Sequence, residues 1–337
     1  MGRHIGIDLH RNRFTVCILA ENGRDYLSTW DISQLGKFTS KLRATDEIAV
    51  EVTGNTRLFC DAVSPHISRV VVVNPQRFKV VSQSVNKTDD NDARRLAFFL
   101  SKGLLPEVRM TDKEHAQVKS LAQTRDKLVK LRTSLKNKIN NILSAHGINL
   151  KKEALSSEKG LSEVLGMMLG PLVDVEIRIL VDQIRSLNKS ISELEKTIHE
   201  SGRQLKGYKN LKSIKGIGPL GASILMSVIG DVKDFPDEGK LASYFGIVPR
   251  VSNSNETMRT GRITKRGSKL GRTTLVQCAL IAKRYSPYLS RYYEGVKTRR
   301  GTGKAIIALA HKFLKVIYNT LKNDWIWEDF SNGVLAE

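Results

Sequence analysis

Cysteines are few in this sequence, aromatic residues are sparse, and there is no long apolar run. The cysteines lie far apart with no CxxC pair, and the seven histidines show no ligand spacing, so neither a disulfide framework nor a zinc site is indicated. We expect Cys17, Cys60 and Cys278 to be reduced core residues. Without a run of about 18 apolar residues or a leader-like start, we predict no membrane span, no signal peptide and a cytoplasmic protein.

Acidic residues are scarce relative to basic ones. The 337 residues include 55 Lys and Arg but 34 Asp and Glu, which gives a formal net charge of +21. Residues 240–300 alone contain 14 basic residues and two acids. Such a chain is expected to bind a polyanion. Nucleic acid is favoured over acidic lipid, because we find no amphipathic or lipidated anchor.

Strand-like and helix-like patterns alternate over the first hundred residues. The segments HIGIDLH, RFTVCILA and DYLSTW are separated by polar turns and predict three antiparallel strands. Further strands are expected at 47–52 and 69–75, and helices at 34–43 and 57–64. This order predicts an α/β layer.

Acidic side chains occur at unusual places in this layer. Asp8 lies within the apolar first strand and Glu51 near the end of another, where an acid needs an explanation. Asp89 and Asp92 open a helix that Thr88 should cap, and residues three apart share a helix face. If the four met at one end of the sheet, their repulsion would call for divalent cations, for which Mg²⁺ or Mn²⁺ is suited. The alternative is that they are surface acids or acids paired with nearby cations.

Two long helical segments follow. Residues 112–146 and 172–200 carry apolar seams, and the second seam steps by alternating three and four residues, as in a heptad repeat. The polar segment 149–170 between them is expected to be a connector. An antiparallel pair within one chain and a dimer between chains both satisfy this periodicity.

Glycine and basic residues mark the last third of the chain. Gly216 and Gly218 precede a small-residue helix, as in a helix-hairpin-helix that holds a phosphate, although they could equally serve close helix packing. Residues 244–271 are polar, glycine-rich and basic, and predict a surface loop that contacts phosphates. A serine in this loop could attack phosphorus if activated. The candidate serines are Ser252, Ser254 and Ser268. The candidate nucleic-acid contacts are Lys215, Arg250, Arg259, Arg262, Lys265, Arg266, Lys269 and Arg272.

Two blocks of sequence resemble one known family. The strings GIDLH, VEVTGNT and KTDDNDARRLA are similar to the acid motifs of the DEDD transposases of the IS110 insertion-sequence family. The string GIVPRVSNSNETMRTGRITKRG resembles the C-terminal transposase domain of the same family. The first strand alone also resembles actin-like sugar kinases, but no second glycine-rich phosphate loop follows. The resemblance covers about residues 3–300, with the blocks in the expected order.

The resemblance implies a three-part architecture. An α/β RuvC-like (RNase H-like) domain would occupy residues 1–110, a helical coiled-coil insertion for oligomerisation 111–203, and a mostly α-helical C-terminal domain 204–337. Ser254 matches the nucleophilic serine, while Asn255 stands where the family often has glycine. The implied catalytic acids and metal ligands are Asp8, Glu51, Asp89 and Asp92.

The implied activity is metal-assisted cutting and rejoining of DNA, with the broken bond stored as a phosphoserine linkage. The resemblance also implies a structured non-coding guide RNA that pairs with target and donor DNA, and a prokaryotic, nucleoid-associated enzyme. Because the acids and the serine lie in different domains, their site is expected to form when the two meet, in a homo-oligomer such as a dimer or tetramer. The alternatives are a RuvC-like metal-dependent nuclease that uses water, and a non-enzymatic architectural DNA-binding protein.

Overall fold

A mixed β-sheet begins the chain. The computed structural model describes residues 2–20, 23–74, 78, 88–254 and 257–327, and for residues 251–254 and 257–260 it describes the backbone alone. Within these residues the sheet has the strand order β3-β2-β1-β4-β5, in which β2 is antiparallel to both neighbours and β1, β4 and β5 are parallel. The strands are β1 (His4–Leu9), β2 (Arg13–Leu19), β3 (Asp25–Asp31), β4 (Glu47–Glu51) and β5 (Arg69–Val73). The five strands predicted from the sequence are confirmed.

The two faces of the sheet pack against different helices. One face packs against α1 (Leu35–Thr39) and α2 (Thr56–Val63), around the T-shaped rings of Phe14 and Phe59. The other face packs against α3 (Asp89–Ser101). The predicted helix over 34–43 is shorter than expected, since a 3₁₀ turn precedes it and helix α1 ends at Thr39. The helix predicted over 57–64 is confirmed.

Helix α3 packs closely against β1 at Gly6. A Cβ atom on Gly6 would lie 2.0 Å from the Ala93 carbonyl oxygen and 2.5 Å from the Ala97 amide nitrogen. We therefore expect Gly6→Ala to push α3 away from the sheet and to lower the free energy of unfolding by about 1–3 kcal/mol, as measured by urea denaturation. Gly36→Ala is the control, because a Cβ there meets nothing within 4 Å. Equal unfolding free energies for the two variants would contradict this prediction.

The chain divides into two compact units, residues 1–110 and 111–337. The second unit begins with two long antiparallel helices, α4 (Lys113–Ala145) and α6 (Pro171–Gly202). Their antiparallel pairing is marked by ion pairs from Arg125 to Glu195 and from Lys138 to Glu176. The seam of α6, including Ile177, Ile184, Ile191 and Ile198, is buried. The structure therefore accounts for the heptad spacing by packing within one chain.

This helical hairpin contains two separate apolar clusters. At its base, Val118 and Ala122 of α4 and Ile198 of α6 join the core of the C-terminal helices. At its far end, residues from α4, α6 and the connector form a second cluster, which we call the distal cluster. Its buried members are Ile139, Leu143, Leu155, Leu161, Val164, Ile177, Val181 and Ile184.

The connector contains a short helix that the sequence analysis did not predict. Helix α5 (Glu158–Leu165) begins after Ser157, whose side chain accepts a hydrogen bond from the Gly160 amide at 3.1 Å. Leu161 and Val164 then bury one side of this helix in the distal cluster. The polar composition of the segment reflects its outer face, which is why it predicted only a connector.

The remaining helices form the C-terminal core. Gly216, in the turn before α8, has φ +102° and would place a Cβ 2.5 Å from the Ala282 amide nitrogen, so this glycine serves close packing. No helix in the described part of the chain is long and apolar enough to cross a membrane. The helices are α7 (Tyr208–Ser213), α8 (Pro219–Ile229), α9 (Glu238–Phe245), α10 (Lys269–Tyr285), α11 (Pro287–Arg300) and α12 (Thr302–Lys322).

The basic segment contains a β-hairpin, so the prediction of a surface loop over 244–271 was wrong. Strands β6 (Pro249–Ser254) and β7 (Thr257–Ile263) pair antiparallel, with a register shift between Pro249 and Val251. The β-branched residues Val251, Thr257, Thr260 and Ile263 favour strands, but glycine and charge obscured this signal in the composition.

The three cysteines are free and buried, which confirms that they are core residues. Burial raises the pKa of each thiol to about 11, with smaller effects of nearby charges at Cys17 and Cys60. At neutral pH these thiols are therefore protonated and weakly reactive.

Candidate active site

Helix α3 begins with the acids that the sequence singled out. Thr88 is its N-cap and accepts a hydrogen bond from the Asn91 amide, as predicted. Asp92 is buried and Asp89 half-buried, whereas Asp90 is exposed. The helix start favours negative charge, and the i, i+3 spacing places Asp89 and Asp92 on one face. This face lies toward the sheet.

Asp8 and Asp89 come together around His10. The Nε2 atom of His10 lies 3.2 Å from Oδ2 of Asp8 and 3.3 Å from Oδ1 of Asp89. The other carboxylate oxygen of Asp89 accepts a hydrogen bond from the Arg13 guanidinium at 3.1 Å. The end of β1, the start of β2 and the start of α3 therefore meet at one point in the first unit.

The charges of the neighbouring acids affect the pKa of the Asp8 carboxyl. Burial raises this pKa above its ordinary value. The adjacent His10 opposes the rise, while the charges of Asp89 and Asp92 add to it. A cation bound among these carboxylates would relieve the repulsion, and this is the electrostatic setting expected of a metal site.

Glu51 reaches the same end of the sheet by strand register. Strands β1 and β4 are parallel, and the last pair in their register is Ile7 with Val50, so Asp8 and Glu51 are the next residues on each strand. Side chains alternate along a strand, so Glu51 shares a face with Ala49, which packs against α3. The two acids therefore end neighbouring strands on the face that α3 covers.

The loop after β4 holds the turn that carries His10. The side-chain amide of Asn55 donates hydrogen bonds to the backbone carbonyls of His10 and Arg11, at 3.2 and 2.8 Å. In the same loop, the Thr56 hydroxyl donates to the Glu51 carbonyl at 2.9 Å. The VEVTGNT segment therefore contributes an acid and also fixes the position of the neighbouring turn.

The residues fit a divalent cation. Within the described part of the chain, one oxygen of Asp8, one nitrogen of His10 and one oxygen of Asp89 all lie within 4.8 Å of one another. This is a distance that a single ion can span, and two carboxylates with an imidazole suit Mn²⁺, while carboxylates alone suit Mg²⁺. Asp92 and Glu51 stand outside this closest set. Asp92 lies beside Arg95, with a nitrogen–oxygen distance of 3.7 Å.

His10 and Arg13 are the site residues that sequence reasoning missed. His10 was assigned to a polar turn, and the histidines showed no ligand spacing in the sequence. The available signal was its position two residues after Asp8, where a strand end brings neighbouring side chains to one edge. Its contact with Asp89 depends on the fold and has no counterpart in local spacing.

The predicted serine lies at the end of a strand. Ser254 is the last residue of β6 and pairs with Thr257, and Ser252 pairs with Arg259. Asn255, which departs from the family pattern, lies outside the described residues, and so do the side chains of both serines. Ser268, the third candidate, caps α10 by accepting a hydrogen bond from the Gly271 amide.

Most of the predicted nucleic-acid contacts are exposed. Arg272 differs, because its guanidinium is half-buried and donates to the Phe245 carbonyl at 3.0 Å, at the end of α9. The side chain of Arg259 lies outside the described part. The exposed cations are Lys215, Arg250, Arg262, Lys265, Arg266 and Lys269.

Comparisons with known proteins point to one family. Residues 5–148 match a transposase family model named for the DEDD acids of IS110, and residues 208–294 match the model of the "Transposase IS116/IS110/IS902 family". The first match contains the acid cluster, and the second contains the basic hairpin.

Similar proteins cover most of the chain. The transposase for insertion sequence element IS1111A of Coxiella burnetii is 26% identical over 94% of this chain and 89% of its own length. A pilin gene-inverting protein of Moraxella bovis is 28% identical over 95% of this chain and 96% of its own. A probable family 20 transposase of Pseudomonas aeruginosa is 26% identical over 82% of this chain and 84% of its own. The chain belongs to the IS110/IS116 family of transposases, which catalyse DNA cleavage and strand transfer and whose DEDD acids imply dependence on a divalent metal.

Proposed function

We propose that this transposase cuts and rejoins DNA by serine attack on a phosphodiester, assisted by a divalent cation at the acid cluster of the first unit. The observation that carries the proposal is the meeting of Asp8, His10 and Asp89 at the end of the sheet, at a spacing that one ion can span. It is supported by the second family match, which contains Ser254.

The acids have separate parts in this proposal. Asp8 and Asp89 would hold Mg²⁺ or Mn²⁺, and Glu51 and Asp92 would complete the set of four. When bound, the ion supplies a Lewis acid for the scissile phosphate. Arg13 keeps the Asp89 carboxylate oriented through its hydrogen bond, and Arg95 offsets the charge of the buried Asp92.

Ser254 would carry the covalent step. Its Oγ forms a bond to phosphorus as the bond from phosphorus to the departing deoxyribose oxygen breaks, and the serine proton passes in net terms to that oxygen. Attack by the hydroxyl of another strand reverses these changes and rejoins the DNA. Ser252 lies two residues earlier on β6 and is the alternative nucleophile.

The partners and architecture follow the same proposal. A structured guide RNA would pair with donor and target DNA, so the protein would need mainly phosphate contacts, which the exposed cations of the C-terminal core could make. We propose a RuvC-like domain over 1–110, a coiled-coil insertion over 111–203 and a C-terminal domain over 204–337. The strand order and the acids at the end of β1 and β4 support the first of these assignments. We further propose that a dimer or tetramer is the active form.

A nuclease that uses water is the second candidate. All four acids lie in the first unit, whereas the serine lies in the second. If water is the nucleophile, the catalytic residues can therefore all come from the first unit. The two functions differ in whether protein becomes attached to DNA.

The test is a search for a covalent protein–DNA adduct. Purified protein is incubated with DNA that carries the element ends, the element's RNA, and either Mg²⁺ or EDTA. We expect a denaturant-resistant, protease-sensitive adduct that forms with Mg²⁺ and not with EDTA. Cleavage without an adduct would indicate the nuclease, and DNA binding without cleavage would indicate an architectural protein.

A further inference from the structure

A polar cleft lies on the helical hairpin of the second unit. The C-terminal half of α4, from residue 132 to residue 144, and residues 149–156 of the connector line a cavity of about 480 Å³. This volume is within the range of about 300–1,000 Å³ that is typical of ligand sites. We call it the hairpin cleft. Leu155, which lines the cleft, is buried in the distal cluster, so this part of the cleft is supported by a packed apolar core.

The hairpin cleft is strongly basic. Its lining includes the cations Arg132, Lys136, Lys151 and Lys152, but a single acid, Glu153. Among the ion pairs of the described residues, none includes any of these four cations. A cleft with this excess of positive charge attracts an anion.

Two cations of the cleft, Lys136 and Arg132, donate hydrogen bonds to neutral side chains and not to a carboxylate. The Lys136 ammonium donates to the Ser156 hydroxyl at 3.0 Å, and Ser156 in turn donates to Glu153 at 2.8 Å. The Arg132 guanidinium donates to the Asn188 side-chain carbonyl at 2.8 Å. Burial and the neighbouring Arg132 lower the pKa of Lys136, while Glu153 opposes this change. A phosphate here would stabilise both cations.

The rest of the lining suits a nucleotide. Asn137, Asn140 and Asn149 contribute amides, each of which can both donate and accept hydrogen bonds. Such groups complement base edges and sugar hydroxyls, neither of which an inorganic phosphate carries. The combination of cations and amides is the one expected of a nucleic-acid contact.

We propose that the hairpin cleft binds the sugar–phosphate backbone of a nucleic acid, with phosphates at Arg132 and at the three lysines of the lining, and the adjoining nucleotide against the three asparagines. RNA and DNA share this backbone chemistry, and the experiment separates them. The site belongs to the hairpin, not to the acid cluster, and its occupancy does not require the serine mechanism.

The test measures binding without catalysis. Full-length protein is titrated in EDTA against a fluorescent RNA hairpin and against a DNA duplex of the same sequence, over a series of salt concentrations. The cleft variant replaces the three lysines by glutamine, and a second variant replaces them by arginine. The three lysines are Lys136, Lys151 and Lys152.

The matched control removes the same charge from exposed positions on the same hairpin. It replaces three lysines outside the cleft by glutamine, and none of them forms an ion pair among the described residues. The control positions are Lys127, Lys189 and Lys196.

We expect the glutamine variant of the cleft to lose about tenfold or more in affinity for at least one probe. The slope of log affinity against log salt should fall by about 2–3, which corresponds to three lost phosphate contacts. Arginine should retain binding, and circular dichroism should show all variants folded. Loss on RNA alone or DNA alone identifies the ligand. The proposal is overturned if the cleft variant binds both probes as tightly as the control variant does, with the same salt slope.

Discussion

Asp89→Asn is expected to lower the rate of DNA cleavage on the order of a thousandfold. The substitution replaces a negatively charged carboxylate of the cluster formed with Asp8 and His10 by a neutral amide, which binds a divalent cation much more weakly. Lewis-acid stabilisation by a metal ion is worth several kcal/mol, and each 1.4 kcal/mol is about a tenfold change in rate. The measurement is the single-turnover cleavage rate of an element-end substrate over a Mg²⁺ titration.

Asp90→Asn is the matched control for Asp89→Asn. Asp90 lies in the same helical turn, carries the same charge and is exposed. Both changes weaken the favourable charge at the start of α3 by a similar small amount, and the exposed ion pair with Arg13 that Asp89→Asn also loses contributes little to stability. If both variants cleave DNA at the wild-type rate, the acid cluster is not the metal site.

Ser254→Ala is expected to abolish the covalent adduct and strand rejoining altogether, because alanine has no hydroxyl group that can attack phosphorus. The measurement is the fraction of labelled DNA attached to protein after denaturation. Ser252→Ala is the control, since the two serines lie two residues apart on the same strand, β6. It should retain the adduct.

Three other results would change the assignment. An adduct lost in Ser252→Ala and retained in Ser254→Ala would move the nucleophile to Ser252. Metal-dependent cleavage that survives Ser254→Ala without an adduct would assign the attack to water. Mixing the Asp89→Asn and Ser254→Ala proteins is informative in addition, because renewed activity would show that acids and serine act from different chains of an oligomer.

Sequence reasoning singled out the acids from local patterns. Asp8 interrupts an apolar strand, and Asp89 and Asp92 follow a good N-cap, so burial and helix periodicity were enough to single them out. His10 and Arg13 form no such pattern. Their place in the candidate site comes from contacts with Asp89, which is distant in sequence, and no local pattern contains that information.

The fold was predictable where periodicity was strong. The strands of the sheet and the long helices α4 and α6 have clear apolar spacing, but spacing does not say whether a seam is buried by the same chain or by another. The hairpin of β6 and β7 was missed because uncharged polar residues and arginines outnumber the apolar residues in its strands. Helix α11 was not predicted because arginines and tyrosines interrupt its apolar face.

The two halves of the helical hairpin are stabilised by different apolar clusters. The base of the hairpin belongs to the large C-terminal core, whereas the distal cluster draws only on the far ends of α4 and α6 and on the connector. Separate cores can open independently, so we expect amide protons in the far half to exchange with solvent through a smaller local unfolding than those at the base. A nucleic acid held at the hairpin cleft would slow this exchange selectively, since it stabilises only the half that binds it.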